Sequence, residues 1–304
     1  MDSTVVSSSF SFSSSATIEY SSQKHRKMVE EKRIKWFSMK ERITELVSNV
    51  NNISNVREIA DEISKQDLFE GRGVFCQEIM KSQMDSPKLT NVYAALVAII
   101  NSNFPFVGLL LVKRLVLSLK EEYDRRGDPK TLRALSKFLA HLVNHFVVYA
   151  LLANDVCLFL MGNPRSSDNV EVAVKFCIEC GSTFQQVLPA KFGALIEEFH
   201  RVSEEWNIGW APRFLISMLS KIQAHRFRDY DMIDEFINLV HIEDQQTHRV
   251  SMLHDLDPEC GADDFRVYPS EYFSDIDHHG SEDDDDEEVS SQKPKGTIDG
   301  LTSL

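Results

Sequence analysis

Along WFSMKERITELVSNV, apolar residues fall at Phe37, Met39, Ile43, Leu46, Val47 and Val50. That spacing is close to i, i+3, i+4, i+7 and predicts an amphipathic helix. NVREIADEISKQ repeats it with Val56, Ile59, Ala60 and Ile63, and Asn55 is placed to cap its start. TNVYAALVAII is apolar on nearly all sides, so it is expected deep in the core, capped by Thr90 or Asn91. Pro105 opens a further helix through GLLLVKRLVLSLK, and Asp128-Pro129 opens one through LRALSKFLAHLVNHF. Asn163-Pro164 breaks the chain ahead of NVEVAVKFCIECG, where Gly181 is a C-terminal stop. Two more helices are predicted over Ala190–Trp206 and Ala211–Ala224. Nothing from Trp36 to His225 alternates cleanly with period two, and no Asn-Gly or Asp-Gly pair separates apolar runs. About ten helices over about 190 residues gives roughly 40 residues per helix pair, a period that suits a HEAT-type solenoid. An irregular bundle is the competing arrangement. The expected fold is therefore all-α, with about five helix pairs and disordered tails at both ends. The expected divisions are a Ser-rich and basic segment over 1–32, the helical body over 33–228, an extension over 229–256 and an acidic tail over 257–304.

Composition adds a strong asymmetry to this picture. The 304 residues are 42% hydrophobic, enough for one sizeable core, and the formal net charge is -14. From Asp229 onward there are 22 acidic and 4 basic residues, so the preceding body carries a net charge of +4. A mildly basic body followed by an acidic tail argues for an interaction or solubilising tail. Glu282 to Glu288 is an unbroken acidic run. The Ser-rich start up to about Ser22 has the composition of an unstructured segment. Asp2, Glu19 and the lack of Arg there argue against an organelle transit peptide. Arg26, Lys27, Lys32, Arg33 and Lys35 follow, either as a nuclear import signal or as the charged turns of a helix. Five cysteines, an odd number, with no secretory leader pattern ahead of them, point to a reducing compartment. The longest apolar runs, FPFVGLLLV and FVVYALLA, fall well short of the roughly 18 residues of a membrane span.

Chemistry-bearing motifs are few. Cys177 and Cys180 form a CxxC without a second ligand pair, so they read as small buried hydrophobes. His141 and His145 lie one turn apart, but Leu142 stands where a zinc-protease motif needs Glu. Gly71-Arg72-Gly73 reads as a lone turn without phosphate-loop spacing. No GxSxG elbow is present, and Glu197-Glu198 and Glu204-Glu205 sit at exposed helical spacing. No enzyme activity, cofactor or metal is expected. Lys113, Arg114, Lys120, Arg125 and Arg126 form a basic stripe that could contact RNA phosphates, weakly, because no aromatic platform is interleaved.

Longer runs carry a resemblance. They are GRGVFCQEIMKSQ, VYAALVAIINSNFPFVGLLLVKRLVL, SKFLAHLVNH, DNVEVAVKFCIECG and EDQQTHRVSMLHD, in that order, from about Ile34 to Asp257. Together they resemble the middle domain of initiation factor 4-gamma as it occurs in the nucampholin-type splicing factors of the complexed-with-Cef1 family. The resemblance implies five HEAT-like helix pairs and a non-enzymatic adaptor. Its implied partners are the DEAD-box helicase of the exon junction complex, held with its two RecA-like lobes apart, and other spliceosome components. It implies a nuclear setting, with the cytoplasm also open, and a chain acting as a monomer. The implied contact residues are Tyr93, then Asn101, Ser102, Asn103 and Gly108 around the loop before Pro105, and Asp244, Gln245, Thr247 and His248 in DQQTH. The chain departs from the family pattern at Asn103, usually Lys, and at Leu109, usually Glu. It departs also at Val147-Val148-Tyr149 and at Ala190-Lys191. The family carries an MA3 domain beyond its acidic linker, where this sequence ends, so a shortened paralogue, an isoform or a fragment is expected here. The alternative is a degenerate paralogue with weakened helicase binding that scaffolds another mRNA-processing or translation partner.

Overall fold

The computed structural model describes residues 12–162, 166–228, 230 and 237–267, with side chains from residue 23 onward. Among the described residues there are ten α-helices, four short 3-10 turns and no strand. The helices are α1 (Phe12–Ser48), α2 (Val56–Ser64), α3 (Leu68–Asp85), α4 (Thr90–Asn103), α5 (Pro105–Asp124), α6 (Pro129–Asn144), α7 (Leu151–Leu160), α8 (Ser167–Val187), α9 (Pro189–Glu205) and α10 (Trp210–Ala224). Each packs on helices near it in the chain: α1 on α3, α2 on α4, α3 on α5, α4 on α5 and α6, α6 on α8, and α8 on α7, α9 and α10. Contact confined to neighbours is the mark of stacked helix pairs, so the expected all-α solenoid is what the chain forms.

One core runs through the stack from Trp36 to Met252 and includes Phe75, Phe138, Phe176, Phe184, Phe192 and Phe199. Burying each such side chain stabilises the fold by about 1.5–3 kcal/mol. Helix starts follow local chemistry. Pro105 and Pro129 occupy the first turn, where a missing N–H is harmless. The Asp128 carboxylate accepts from the Lys130 N–H at 2.9 Å. Asn55 precedes α2 as expected, but its amide turns back to the Asn49 carbonyl at 2.8 Å. The side-chain cap falls earlier, where Asn52 accepts from Ser54 N–H at 2.8 Å. Leu89 precedes α4, and Thr90 is buried in the first turn, its hydroxyl on the Pro87 carbonyl.

Several sequence expectations are corrected. Gly71-Arg72-Gly73 is no turn but part of α3. A Cβ at Gly73 would overlap the backbone of Ala262, so the glycine serves close approach of a returning segment. Gly181 does not stop α8, which continues to Val187; a glycine stands there to make room for Phe227, which packs into the space a side chain would fill. α1 already begins at Phe12, ahead of the boundary expected at residue 33. At the other end the chain stays packed beyond the tail boundary expected at Asp257. A 3-10 turn over Cys260–Asp263 lies against α3, and the Phe265 ring is 6.3 Å from that of Trp36. Asn163-Pro164, His278-His279 and the acidic run Glu282 to Glu288 lie outside the described residues. Among those described, no helix is long and apolar enough to cross a membrane.

Candidate partner-binding site

Residues 241–265 form a strap that runs back over α5 and α3, and it defines the site. Its first anchor is the end of α4. Asn101 is only 2% exposed. Its Nδ2 donates to the Gln246 carbonyl at 2.6 Å, and its Oδ1 lies 2.7 Å from His248 Nε2. Because the amide nitrogen is committed to a carbonyl, Oδ1 is the acceptor and Nε2 the donor. Gly108 leaves the necessary space, since a Cβ there would overlap the Asn101 amide. The His248 backbone pairs with the segment after α6: its N–H donates to Val147 O at 2.9 Å, and Tyr149 N–H donates to His248 O at 2.9 Å. The Thr247 hydroxyl donates to Phe146 O at 2.6 Å. Burial pushes the His248 imidazole below its ordinary pKa, and a hydrogen bond with the Pro105 backbone acts the other way.

The structure thus joins Asn101, Gly108, Thr247 and His248 in one internal brace. Ser102 turns its hydroxyl to Ile99 O at 2.8 Å. Asn103 and Asp244 are exposed beside the brace, and Gln245 is half-buried. Tyr93 does not join them. It is 3% exposed near the start of α4, about 15 Å along the axis from Asn103. Burial, then the charge of Asp85, push its phenol pKa up, against a hydrogen bond with Ser82. The departures at Val147 and Val148 are buried at 1% and 0%, where they seat the strap.

Two aromatics beside Asn103 went unnoticed in the sequence. Phe69 and Phe106 are 64% and 40% exposed, with ring centroids 6.3 Å apart, and Phe104 lies 6.2 Å from Phe106. Arg72 stacks over Phe69 at 5.1 Å and is paired with Glu259 at 2.9 Å. Both rings lie in the first turn of a helix (α3 and α5), off the buried face, and a helical-wheel reading of each start would have found them.

Three residues of the basic stripe on α5, Lys113, Arg114 and Lys120, are engaged by the strap. Arg114, 8% exposed, donates to Pro258 O at 2.8 Å, Gly73 O at 3.2 Å and Glu259 O at 3.0 Å, and pairs with Asp263 at 2.7 Å. Lys113 lies 3.9 Å from Glu259, Lys120 donates to Met252 O at 2.9 Å, and Arg125 pairs with Glu122 at 2.9 Å. Lys113, Arg114 and Lys120 are thus the strap's docking track, whereas Arg125 and Arg126 at the end of α5 stay exposed.

The remaining motifs are structural. Cys177 approaches Cys157, not Cys180, at 3.3 Å between sulfurs; burial pushes both thiols up, which leaves little thiolate for redox or metal chemistry. His141 faces Glu179 at 3.4 Å, whereas His145 is buried and its pKa is driven down to about 3 by burial and then by the charge of His141.

Residues 41–226 match the MIF4G domain family. A Homo sapiens protein named pre-mRNA-splicing factor CWC22 homolog is 36% identical over 238 residues, 78% of this chain and 26% of that protein. A Xenopus laevis protein of the same name is 35% identical over 237 residues, 78% of this chain and 29% of that protein. A Neurospora crassa protein named pre-mRNA-splicing factor cwc22 is 34% identical over 245 residues, 81% of this chain and 24% of that protein. The chain spans about a quarter of the length of these relatives.

Proposed function

The chain belongs to the MIF4G domain family, and from that premise we propose that it is a nuclear, non-enzymatic adaptor in pre-mRNA splicing. The observation that carries this reading is the likeness, over about four-fifths of the chain, to proteins named pre-mRNA-splicing factors. The proposed partner is the DEAD-box helicase of the exon junction complex, gripped with its two lobes apart. The support for that finer step is the loop Asn101–Asn103 and the DQQTH segment, which resemble the family's helicase contacts and lie side by side. A scaffold that binds only the open helicase lowers the closed population by its differential affinity, without chemistry of its own. Asn103, with Asp244, Gln245 and the exposed Phe106 and Phe69, forms the accessible rim. Asn101 and His248 act as positioning residues behind it, Thr247 is an exposed positioning residue beside it, and Tyr93 supports α4 from within.

Asn103 and Leu109 favour a second reading, a paralogue whose helicase binding has weakened in favour of another mRNA-processing or translation partner. Losing a Lys at a buried contact costs about 2–5 kcal/mol, and at a rim it mainly slows association. Calorimetry of the purified chain with the helicase decides. Binding by the unaltered chain supports the adaptor. Binding only after Asn103→Lys with Leu109→Glu supports the weakened paralogue. No heat from either sinks both.

A further inference from the structure

The tetrapeptide His-Arg-Val-Ser occurs twice in the chain, at residues 200–203 and 248–251. The two serines stand in opposite settings. Ser203 lies within α9, and Arg201 is paired with Glu198 and, at 3.0 Å, with Glu205. Ser251 lies on the strap, where the chain from Arg249 to Leu256 forms no helix and no strand. Arg249 is exposed, with its guanidinium over the Tyr149 ring at 5.1 Å.

Two residues tie this stretch down. The Ser251 hydroxyl donates to the Asp155 carboxylate on α7 at 3.2 Å and accepts from the Leu253 N–H at 3.2 Å. Met252 is 5% exposed and enters the core, and its carbonyl accepts from Lys120 on α5 at 2.9 Å. One carboxylate and one ammonium therefore flank a neutral hydroxyl.

We propose that Ser251 is the acceptor for a protein kinase directed to basic sequences, and that its phosphate lifts the middle of the strap off α7. Such a kinase reads a cation ahead of the acceptor by charge complementarity and takes the acceptor segment as an extended chain. Arg249 is open in an irregular segment, whereas Arg201 is committed within a helix. Irregular segments open locally at low cost, which brings the half-buried Ser251 into reach. In the transfer, Oγ bonds to the γ-phosphorus of a nucleoside triphosphate as the bond to the diphosphate breaks. The hydroxyl proton passes to the kinase's catalytic carboxylate. The product carries a charge of about -1.5 to -2 at pH 7. It stands against Asp155, while Lys120 supplies one positive charge, so a balanced contact becomes strongly negative. Like-charge repulsion then parts the strap from α7. Asp255 and Asp257 follow on the strap and add to it. The brace at His248 and the Arg114–Asp263 pair lie on either side and keep the strap's ends in place.

The full chain, incubated with ATP, magnesium and the catalytic subunit of cyclic-AMP-dependent protein kinase, tests this by mass spectrometry and hydrogen exchange. Phosphate is expected on Ser251 at least about tenfold faster than on Ser203, because only the strap opens locally. Ser251→Ala removes it. Phosphorylation is expected to speed exchange over residues 249–256 at least about tenfold. Asp155→Asn keeps an acceptor for the hydroxyl and drops the charge. In the unmodified chain it leaves exchange unchanged, and in the phosphorylated chain it restores most of the lost protection. No phosphate on Ser251, or equal rates at the two serines, overturns the proposal. So does a phosphorylated strap that exchanges like the unmodified one, or a loosening that Asp155→Asn does not relieve. None of these readouts involves the helicase, so this proposal and the adaptor reading fail independently.

Discussion

At Arg114 a cation lies 8% exposed, with three carbonyls and the Asp263 carboxylate around it; at Trp210 an indole stands 81% exposed. Under the strap, a buried guanidinium donates to three carbonyls and pairs with a carboxylate. On α10, apolar groups are displayed. Burying a charge costs several kcal/mol unless its partners are in place, so Arg114 marks a contact that must form within the chain. Displaying an aromatic pair forgoes burial free energy the fold does not need, so Trp210 and Phe214 mark a contact with something else.

Acid is expected to have the largest effect, through the buried His145. His145 is held neutral in the folded chain, with its pKa near 3, whereas the unfolded ring titrates near 6.5. Stability is therefore full above about pH 6.5. It falls as the pH drops, because only the unfolded chain takes up the proton. The loss attributable to this group reaches roughly 4–5 kcal/mol by pH 3. Urea unfolding at several pH values, for the chain and for His145→Gln, isolates it. Parallel pH profiles for the two proteins contradict the assignment. Arg114→Ala comes next, at about 3–5 kcal/mol, because it leaves the Asp263 carboxylate and the turned-in carbonyls without their cation. Limited proteolysis is expected to cut the variant within residues 241–265 before the helices are attacked, and uniform cutting would deny the strap its separate anchor. The smallest effect sharpens the contrast: Trp210→Ala with Phe214→Ala is expected to change stability by no more than about 0.5 kcal/mol. A loss of several kcal/mol in urea titration would show those rings to be structural.

The sequence was legible where the chemistry was local. Pro105 and Pro129 announced α5 and α6, and the apolar periodicity placed the helices that build the core. It was misleading at Gly73 and Gly181, because a glycine lost to a helix is read as a breaker unless the partner filling its space is known. Those partners, Ala262 and Phe227, are distant in the chain at Gly73 and beyond the next two helices at Gly181. The strap has almost no regular structure and so no period to detect. The role of Arg114 could not be inferred without it. Of the contact residues implied by family likeness, Asn101, Gly108, Thr247 and His248 do come together, but as a brace within the chain in which Asn101 and Gly108 are buried and Thr247 is exposed. The sequence marks them as a group without saying which way they face. Trp210 fell just outside the helix predicted over Ala211–Ala224 and Phe214 inside it, and only burial separates a core position from a displayed one.

The bond between Arg114 and Asp263, with the approach of Gly73 to Ala262, ties early helices to a segment made some 150–190 residues later. An open array of helix pairs grows and frays from its ends, each pair answering only to its neighbours. Here a late segment latches an early one, so synthesis must run past Asp263 before the third and fifth helices acquire their last partners. Until then Arg114 lacks its buried partners and the strap's track on α5 is bare. Once latched, the early end cannot fray without first shedding the strap, and a stack built of local parts gains the all-or-none character of a closed domain.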